Sequence, residues 1–423
     1  GRGISRKDAI NQKGIVDWLN KLKLIDKEYA TEYENVLSAF SSGSNKTEKK
    51  YSSFTHYYVG DFSIFQNVDY SFGVRTVSER TYRSEEGNGE NLKGYFLSDG
   101  STVISVTGNE YENIFPVWDW CKIPGTTCPQ MDTIPRMEKT WTHLGESDFV
   151  GGVSDGDMGV VAYKMNNDQD GVDVSAKKAW FFLGKEVVCL GSDISTSAGY
   201  PLTTTLNQCL LSGNVYCSEK GQVKTIEKGG SISSASLDWI LHNKVGYFFP
   251  QAQSVSLKAE HKIGNWHEIN ETQSKATVHK DVFCAWLDHG KLPYKATYSY
   301  IVVPNVSSVT NMQKYKSSDV EIIENSAYAQ AVKHKGIGVT QIVFYQSGQL
   351  SIGDIDLSVD KGCIIMIKEN GKQLLFDISD PSHKLDVLNI QIRSSKKNKR
   401  TLQVDFSDDG YHKGRTHSLQ CNY

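Results

Sequence analysis

The chain has 423 residues, room for two or three domains with an ample core. Its net charge is -3, so there is no global basic field for nucleic acid or for a polyanion, and any such attraction has to be local. No apolar run approaches the length of a membrane-spanning helix, which excludes that class of membrane partner. The eight cysteines, Cys121, Cys128, Cys189, Cys209, Cys217, Cys284, Cys363 and Cys421, contain no CxxC pair and so no zinc-type signature. They read as isolated buried thiols, with a bridge between Cys121 and Cys128 as the alternative in an oxidising compartment.

Residues 1 to about 45 read as helical. Ile15, Leu19 and Leu22 fall on one face, and Tyr29, Tyr33, Val36 or Leu37, and Phe40 continue the apolar stripe. The polar stretch from Ser41 to Lys50 breaks the pattern and marks a first domain boundary, giving a short helical unit over residues 1–50. From Tyr51 to about Asp319 the pattern changes to short strands and turns. Ala179–Leu183 and Glu186–Leu190 flank Gly184-Lys185, a two-residue hairpin turn with Gly first. Trp239–Leu241 and Val245–Phe249 flank a polar turn at His242-Asn243-Lys244. Repeated hairpins of this kind imply a large antiparallel sandwich over 51–319. Residues 320–423 read as a smaller β unit. In it Ile355, Leu357 and Val359 alternate, and Ile364–Lys368 pairs with Lys372–Phe376 across Glu369-Asn370-Gly371, with a type I′ turn at Asn-Gly. The basic run Lys396, Lys397, Lys399 and Arg400 reads as a solvated hairpin tip. Asn45-Lys-Thr, Asn270-Glu-Thr and Asn305-Val-Ser fit the glycosylation triplet, which matters only in a eukaryotic source.

The stretch from Asn109 to Thr127, NEYENIFPVWDWCKIPGTT, stands out. Pro116 and Pro124 make it stiff and extended. Its aromatic faces beside Glu, Asp and Asn suit a sugar, which offers apolar ring faces and many hydroxyls. A buried aromatic corner of a β-protein is the alternative.

This stretch resembles the signature of the family-8 polysaccharide lyases, the hyaluronate, chondroitin AC and xanthan lyases. Further segments resemble that family in the same order: GRGISR at 1–6, GGVSDGDMGV at 151–160, KKAWFFLGKEVVCLGSDIS at 177–195, TTLNQC at 204–209 and WILHNKVGYFF at 239–249. The resemblance implies a mainly β chain. A large antiparallel β super-sandwich and a C-terminal β-sandwich would follow the last helices of an N-terminal α/α toroid. With Gly1 opening inside a family motif, the chain is expected to be a fragment lacking most of that toroid.

The chemistry the resemblance implies is β-elimination across a uronic acid. The carboxylate beside C5 is neutralised, a base takes the C5 proton and an acid protonates the departing O4 oxygen. In the family the carboxylate-binding Asn and the catalytic His and Tyr come from helical segments preceding the Arg-rich motif, so none of the eleven His here is assigned that role. The resemblance implies that Arg2 and Arg6 line the cleft, and that Glu110 and Asn113 are the acid and amide contributed by the central domain. Glu110 is expected to hold Arg2 or Arg6 by a charge-assisted hydrogen bond. Asn113, with Trp118 and Trp120, is the candidate substrate-binding set, although two alternating Trp also suit a core. The competing classes are a non-catalytic carbohydrate-binding module and a glycoside hydrolase using Glu110 and Glu112.

A second constellation is acidic: Glu146, Asp148, Asp155 and Asp157 in GESDFVGGVSDGDMG. Glu146, Asp148 and Asp157 with the Met158 carbonyl form a candidate Ca²⁺ set, the oxygen ligands that ion prefers, and an ordinary acidic loop is the alternative. No organic cofactor is expected. The expected partner is an acidic polysaccharide substrate, with no nucleic acid and no membrane, and the protein is expected to be a monomer that is secreted or periplasmic.

Overall fold

The computed structural model describes residues 2–9, 13–41, 52–137, 143–371, 373–394 and 399–422. The Ser41–Lys50 break, the Asn45 triplet, the Phe40 side chain, Lys372, Lys396 and Lys397 lie largely or wholly outside that set.

The N-terminal segment holds a 3₁₀ turn at Arg2–Ser5 and two helices, α1 (Lys13–Ile25) and α2 (Ala30–Ser41). The helices are joined by Tyr33 Oη donating to Asp26 (2.9 Å) and by Lys23 pairing with Glu34 (3.1 Å). The expected stripe does not close on itself: Ile15 and Tyr29 within it are at least half exposed, as are Trp18, Leu24 and Ile25 beside it. Two helices of this length present more apolar surface than they can cover for each other.

The β region begins with a four-stranded sheet of consecutive strands, Ser52–Tyr57, Phe62–Asn67, Ser71–Arg75 and Ser101–Ser105. It packs on a nine-stranded sheet that runs in space from Gln222–Ile226 through Val215–Glu219, Leu237–His242, Val245–Phe248, Ala296–Val303, Val187–Thr196, Val174–Phe182 and Gly159–Asn167 to Val150–Ser154. The contact centres on Phe182, whose ring lies 4.8 Å from Phe54, 5.9 Å from Phe65 and 5.3 Å from Phe72. Offset and edge-on geometries of this kind suit aromatic quadrupoles. A five-stranded sheet, ordered Ser231–Ser234, Val255–Gly264, Val278–Lys291, Pro201–Leu210 and Thr127–Pro129, shares the same core. The two large sheets are also stitched by a polar contact in that core: Asn207 Nδ2 donates to Tyr247 Oη (2.8 Å).

The C-terminal unit faces a six-stranded sheet, whose strands include Val339–Phe344, Cys363–Asn370 and Gln373–Ser379, against a four-stranded one built on Ile355–Val359 and Val387–Ser394. Successive strand residues point to opposite faces, and both faces of the central strand are used. Cys363, Ile365 and Ile367 enter the core of this unit, while Ile364 and Met366 pack with Val332 against Phe181, Val188 and Leu190 of the nine-stranded sheet. An uninterrupted apolar run is what a strand buried on both sides requires.

The turns refine the sequence reading. The Gly184-Lys185 turn is present, with Leu183 N–H donating to the Glu186 carbonyl (3.0 Å) and φ +82° at Gly184. His242 belongs to its strand, opposite Val245, so that turn is only Asn243-Lys244, both with positive φ. Asn370 pairs with Gln373, so it belongs to the ladder, and Gly371 (φ +62°) follows it in the turn. Lys399 and Arg400 are exposed at the start of Lys399–Asp405, as expected of a hairpin tip.

Candidate active site at the junction of the N-terminal segment and the β domain

The 3₁₀ turn at Arg2–Ser5 is pegged into the β domain through Ser5. This side chain is fully buried; its Oγ donates to the Arg2 carbonyl (2.8 Å) and accepts from Asn91 N–H (3.1 Å), and its carbonyl accepts from Asn270 Nδ2 (3.3 Å). The turn carries Arg2 and Arg6 to the same carboxylate. Arg6 donates through Nε and Nη2 to the two oxygens of Glu90 (2.9 and 2.7 Å), a bidentate pair. Arg2 Nε lies 3.2 Å from Glu90 and 3.4 Å from Glu85. The arginines hold the Glu90 carboxyl below its ordinary range: the Arg6 hydrogen bond is the largest cause, opposed by partial burial and helped by the charges of Arg6 and Arg2. The Glu90 side chain is 13% exposed and that of Arg6 49%, so the pair is anchored on the protein side and open on the other.

Glu90 is presented by a loop that only particular residues can form. Asn88, Gly89 and Asn91 all have positive φ, which Asn and Gly tolerate. A side chain at Gly89 would also meet the Glu271 carboxylate at 2.7 Å. Asn91 Nδ2 closes the loop by donating to Ser84 Oγ and the Glu85 carbonyl (2.9 and 2.7 Å), and Asn270 bridges to Glu90 from the adjacent segment.

Asn113 reaches the same junction. Its backbone is left-handed (φ +51°), its Oδ1 accepts from Asp8 N–H (3.0 Å) and its Nδ2 donates to Asp8 Oδ1 (2.8 Å). It therefore clasps the chain two residues beyond Arg6. The segment bearing it is held from behind by Gln208, which accepts from Asp119 N–H (2.8 Å) and donates to the Asp119 and Lys122 carbonyls (3.0 and 2.9 Å).

Three expectations are corrected. Glu110 does not hold an arginine. It is 3% exposed and folds back on its own loop, accepting from Ser105 Oγ and from the backbone N–H groups of Val106, Thr107 and Gly108 at 2.6–2.9 Å, with Thr107 Oγ1 as a fifth donor. Burial pushes its carboxyl up, the loop donors outweigh that, and the net shift is downward, so it stays ionised. Glu112 is exposed, so the two glutamates do not face one site and the hydrolase pairing loses its geometry. Trp118 and Trp120 are 8% and 3% exposed and meet edge-on at 5.5 Å, with Phe115 against Trp118 at 4.9 Å; their faces belong to the core.

The third correction concerns the acidic set. Glu146 and Asp148 precede the strand Val150–Ser154 and Asp157 with Met158 follows it, so a five-residue strand, ~16 Å long, stands between them. Glu146 and Asp148 have partners of their own, and Asp157 lends its backbone N–H to Asp155. Glu146 accepts from Asp168 N–H (3.0 Å), Asp148 pairs with Lys164 (3.0 Å), and Asp155 accepts from Asp157 and Met158 N–H (2.8 and 2.7 Å). Among the described residues no three His, Cys, Asp or Glu side chains converge as a metal site. Sequence reasoning missed Glu85, Glu90 and Asn270. The available signal was SEEGNGEN at 84–91, three acids among loop formers.

The family model for the super-sandwich domain of polysaccharide lyase family 8 matches residues 52–316, and that for its C-terminal β-sandwich domain matches 321–389. The chain belongs to polysaccharide lyase family 8. Within family 8 it is 39% identical over 412 residues to a chondroitinase-AC of Pedobacter heparinus, covering 96% of this chain and 57% of that one. A xanthan lyase of Bacillus sp. is 27% identical over 346 residues, covering 78% of this chain and 36% of that one. The solved structure of a chondroitinase AC lyase in oligosaccharide complexes superposes with a TM-score of 0.92 at 37% identity, over 99% of this chain and 61% of that one. A Paenibacillus xanthan lyase shares the family 8 fold, with a TM-score of 0.85 at 21% identity, over 99% of this chain and 45% of that one. The chain thus spans little more than half the length of the Pedobacter enzyme.

Proposed function

We propose that the full-length protein is a polysaccharide lyase that cleaves uronate-containing polymers by β-elimination, with a glycosaminoglycan such as chondroitin sulfate or hyaluronan as substrate. The observation that carries this reading is the Arg2–Arg6–Glu90 unit: two guanidiniums fixed in direction by one anchored carboxylate, with Arg6 half open to solvent and Arg2 less so. A guanidinium has five N–H donors, and Glu90 engages only one side of Arg6, leaving donors for a sugar carboxylate or sulfate. Glu85 and Glu90 balance the two guanidinium charges, so the unit would recognise an acidic polymer through directed N–H donors rather than through a net positive field. The resemblance to chondroitinase-AC at 39% identity favours chondroitin over xanthan.

In this reading the present residues orient the polyanion, while the groups that take the C5 proton and protonate O4 are supplied by helical segments outside these 423 residues. The same reading makes the protein secreted or periplasmic; among the described residues no helix is long and apolar enough to cross a membrane. The test is product analysis with the full-length protein on chondroitin sulfate, hyaluronan and xanthan. Elimination leaves an unsaturated uronate whose conjugated double bond absorbs in the ultraviolet. A saturated product, or binding without cleavage, overturns it, the second in favour of a carbohydrate-binding module.

A further inference from the structure

On the five-stranded sheet, the strands Val255–Gly264 and Val278–Lys291 pair antiparallel with His261 opposite Asp281 and Ile263 opposite His279. Directly opposed and two-apart residues share a face, so His261, His279 and Asp281 project from the same side. Both histidines are exposed. His261 Nδ1 lies 2.7 Å from Asp281 Oδ1, and the other carboxylate oxygen takes Lys228 Nζ at 2.7 Å. His261 Nε2 lies 3.1 Å from His279 Nδ1, with the rings 22° from parallel.

With both imidazoles neutral, these contacts fix the two tautomers. A carboxylate oxygen at Nδ1 of His261 requires a proton on that nitrogen, which leaves a lone pair on Nε2. Nδ1 of His279 faces that lone pair and donates to it. Two imidazole nitrogens each bonded at ~2.0–2.1 Å to a tetrahedral ion lie ~3.3 Å apart, close to the spacing already present. A carboxylate on the far nitrogen of a histidine is also the arrangement that orients such a ligand and raises its basicity.

The geometry points to a surface site for a divalent late transition ion such as Zn²⁺, held by His261 Nε2 and His279 Nδ1, oriented by Asp281, with water completing the coordination. When the ion enters, the His279 proton moves from Nδ1 to Nε2 through solvent, so both ligands are neutral and no net proton is gained. Nitrogen ligands select this class over Ca²⁺ or Mg²⁺. The ion would cross-link two strands, one of which ends at Gly264, packed against the Pro116 carbonyl so closely that a Cβ there would sit 2.0 Å away. It would thus brace the wall behind the segment that carries Asn113.

The test is calorimetric titration of the 423-residue chain with ZnCl₂, alongside melting curves at rising free Zn²⁺. The expected result is one equivalent bound per chain and a melting temperature that climbs with free metal. His261→Ala and His279→Ala should each abolish both effects, and Asp281→Asn should weaken binding roughly 10–100-fold. Melting in excess chelator should stay near wild type in all three, because these side chains lie on the surface. His279→Gln gives the same readout should His279→Ala fail to fold. Absence of binding by the wild-type chain, or binding that survives in both histidine variants, overturns the site.

Discussion

Glu90 and Glu110 are two carboxylates of the same type with opposite structural duties, and substitution should separate them. Glu90 joins two arginines across a sequence separation of 84 residues, on a partly open surface. Glu90→Ala in the full-length protein should lower kcat/KM by on the order of 10²-fold through misplaced guanidiniums, with a melting temperature close to wild type. Because Glu90 and Arg6 act as one unit, the double variant Glu90→Ala with Arg6→Ala should lose much less than the two penalties summed. Full additivity would show that the pair does not operate together. Glu110 should behave in the opposite sense. Removing its buried carboxylate strands the loop's N–H donors, so Glu110→Ala should cost ~2–3 kcal/mol of stability, read from denaturant midpoints. The two Arg were legible because they lie inside a short motif. Glu90 was not, because no local pattern reports a contact made 84 residues away, and the aromatic richness around Glu110 drew attention to a residue that serves its own turn.

At the scale of the element, alternation and turn chemistry made the strands readable, while the positions of turns slipped by a residue. His242 looked like turn because it is polar, yet it is buried in its strand, with Nε2 accepting from Ser212 N–H at 3.1 Å. The acidic loop shows what spacing along the chain leaves unspecified. Four acids within twelve residues read as one cluster, but an intervening strand sends them to opposite ends of itself. Asp148→Asn and Asp157→Asn should therefore change stability additively to within ~0.5 kcal/mol, as independent sites do. A coupling well beyond that, reversed by chelator, would mean that one cation joins them after all.

For the whole molecule, the succession of a helical unit, a large sandwich and a smaller β unit was visible in composition and period, since each change of pattern is sustained over many residues. Burial sets the pH response. It holds His56 and His289 down to about 4 and His242 to about 3, whereas an unfolded histidine titrates near ~6.5. As the pH falls the unfolded chain binds these protons first. The stability tied to neutral histidine is complete above ~6.5 and drains away as the pH drops towards 4, at up to ~1.4 kcal/mol per pH unit for each group. Lys178, pushed down to about 7 by burial, works in another window: stability gains as the pH rises from about 7 to ~10.5. Melting temperature against pH should therefore fall steeply on the acid side, and His289→Leu should flatten that limb. An unchanged slope in the variant would remove His289 from the account.

The strand Cys363–Asn370 lends one face to each of two cores. Modularity is the casualty. Residues 320–423 have the outline of a transferable domain, but grafted onto another protein or produced alone they would expose Val332, Val343, Ile364 and Met366 as a wet apolar wall. Such a piece should self-associate and bind a hydrophobic dye, and polar replacements at Ile364 and Met366 should restore its solubility while weakening the parent chain. The two β units of this chain are in that sense one body: a substitution on either side of the wall is felt on the other.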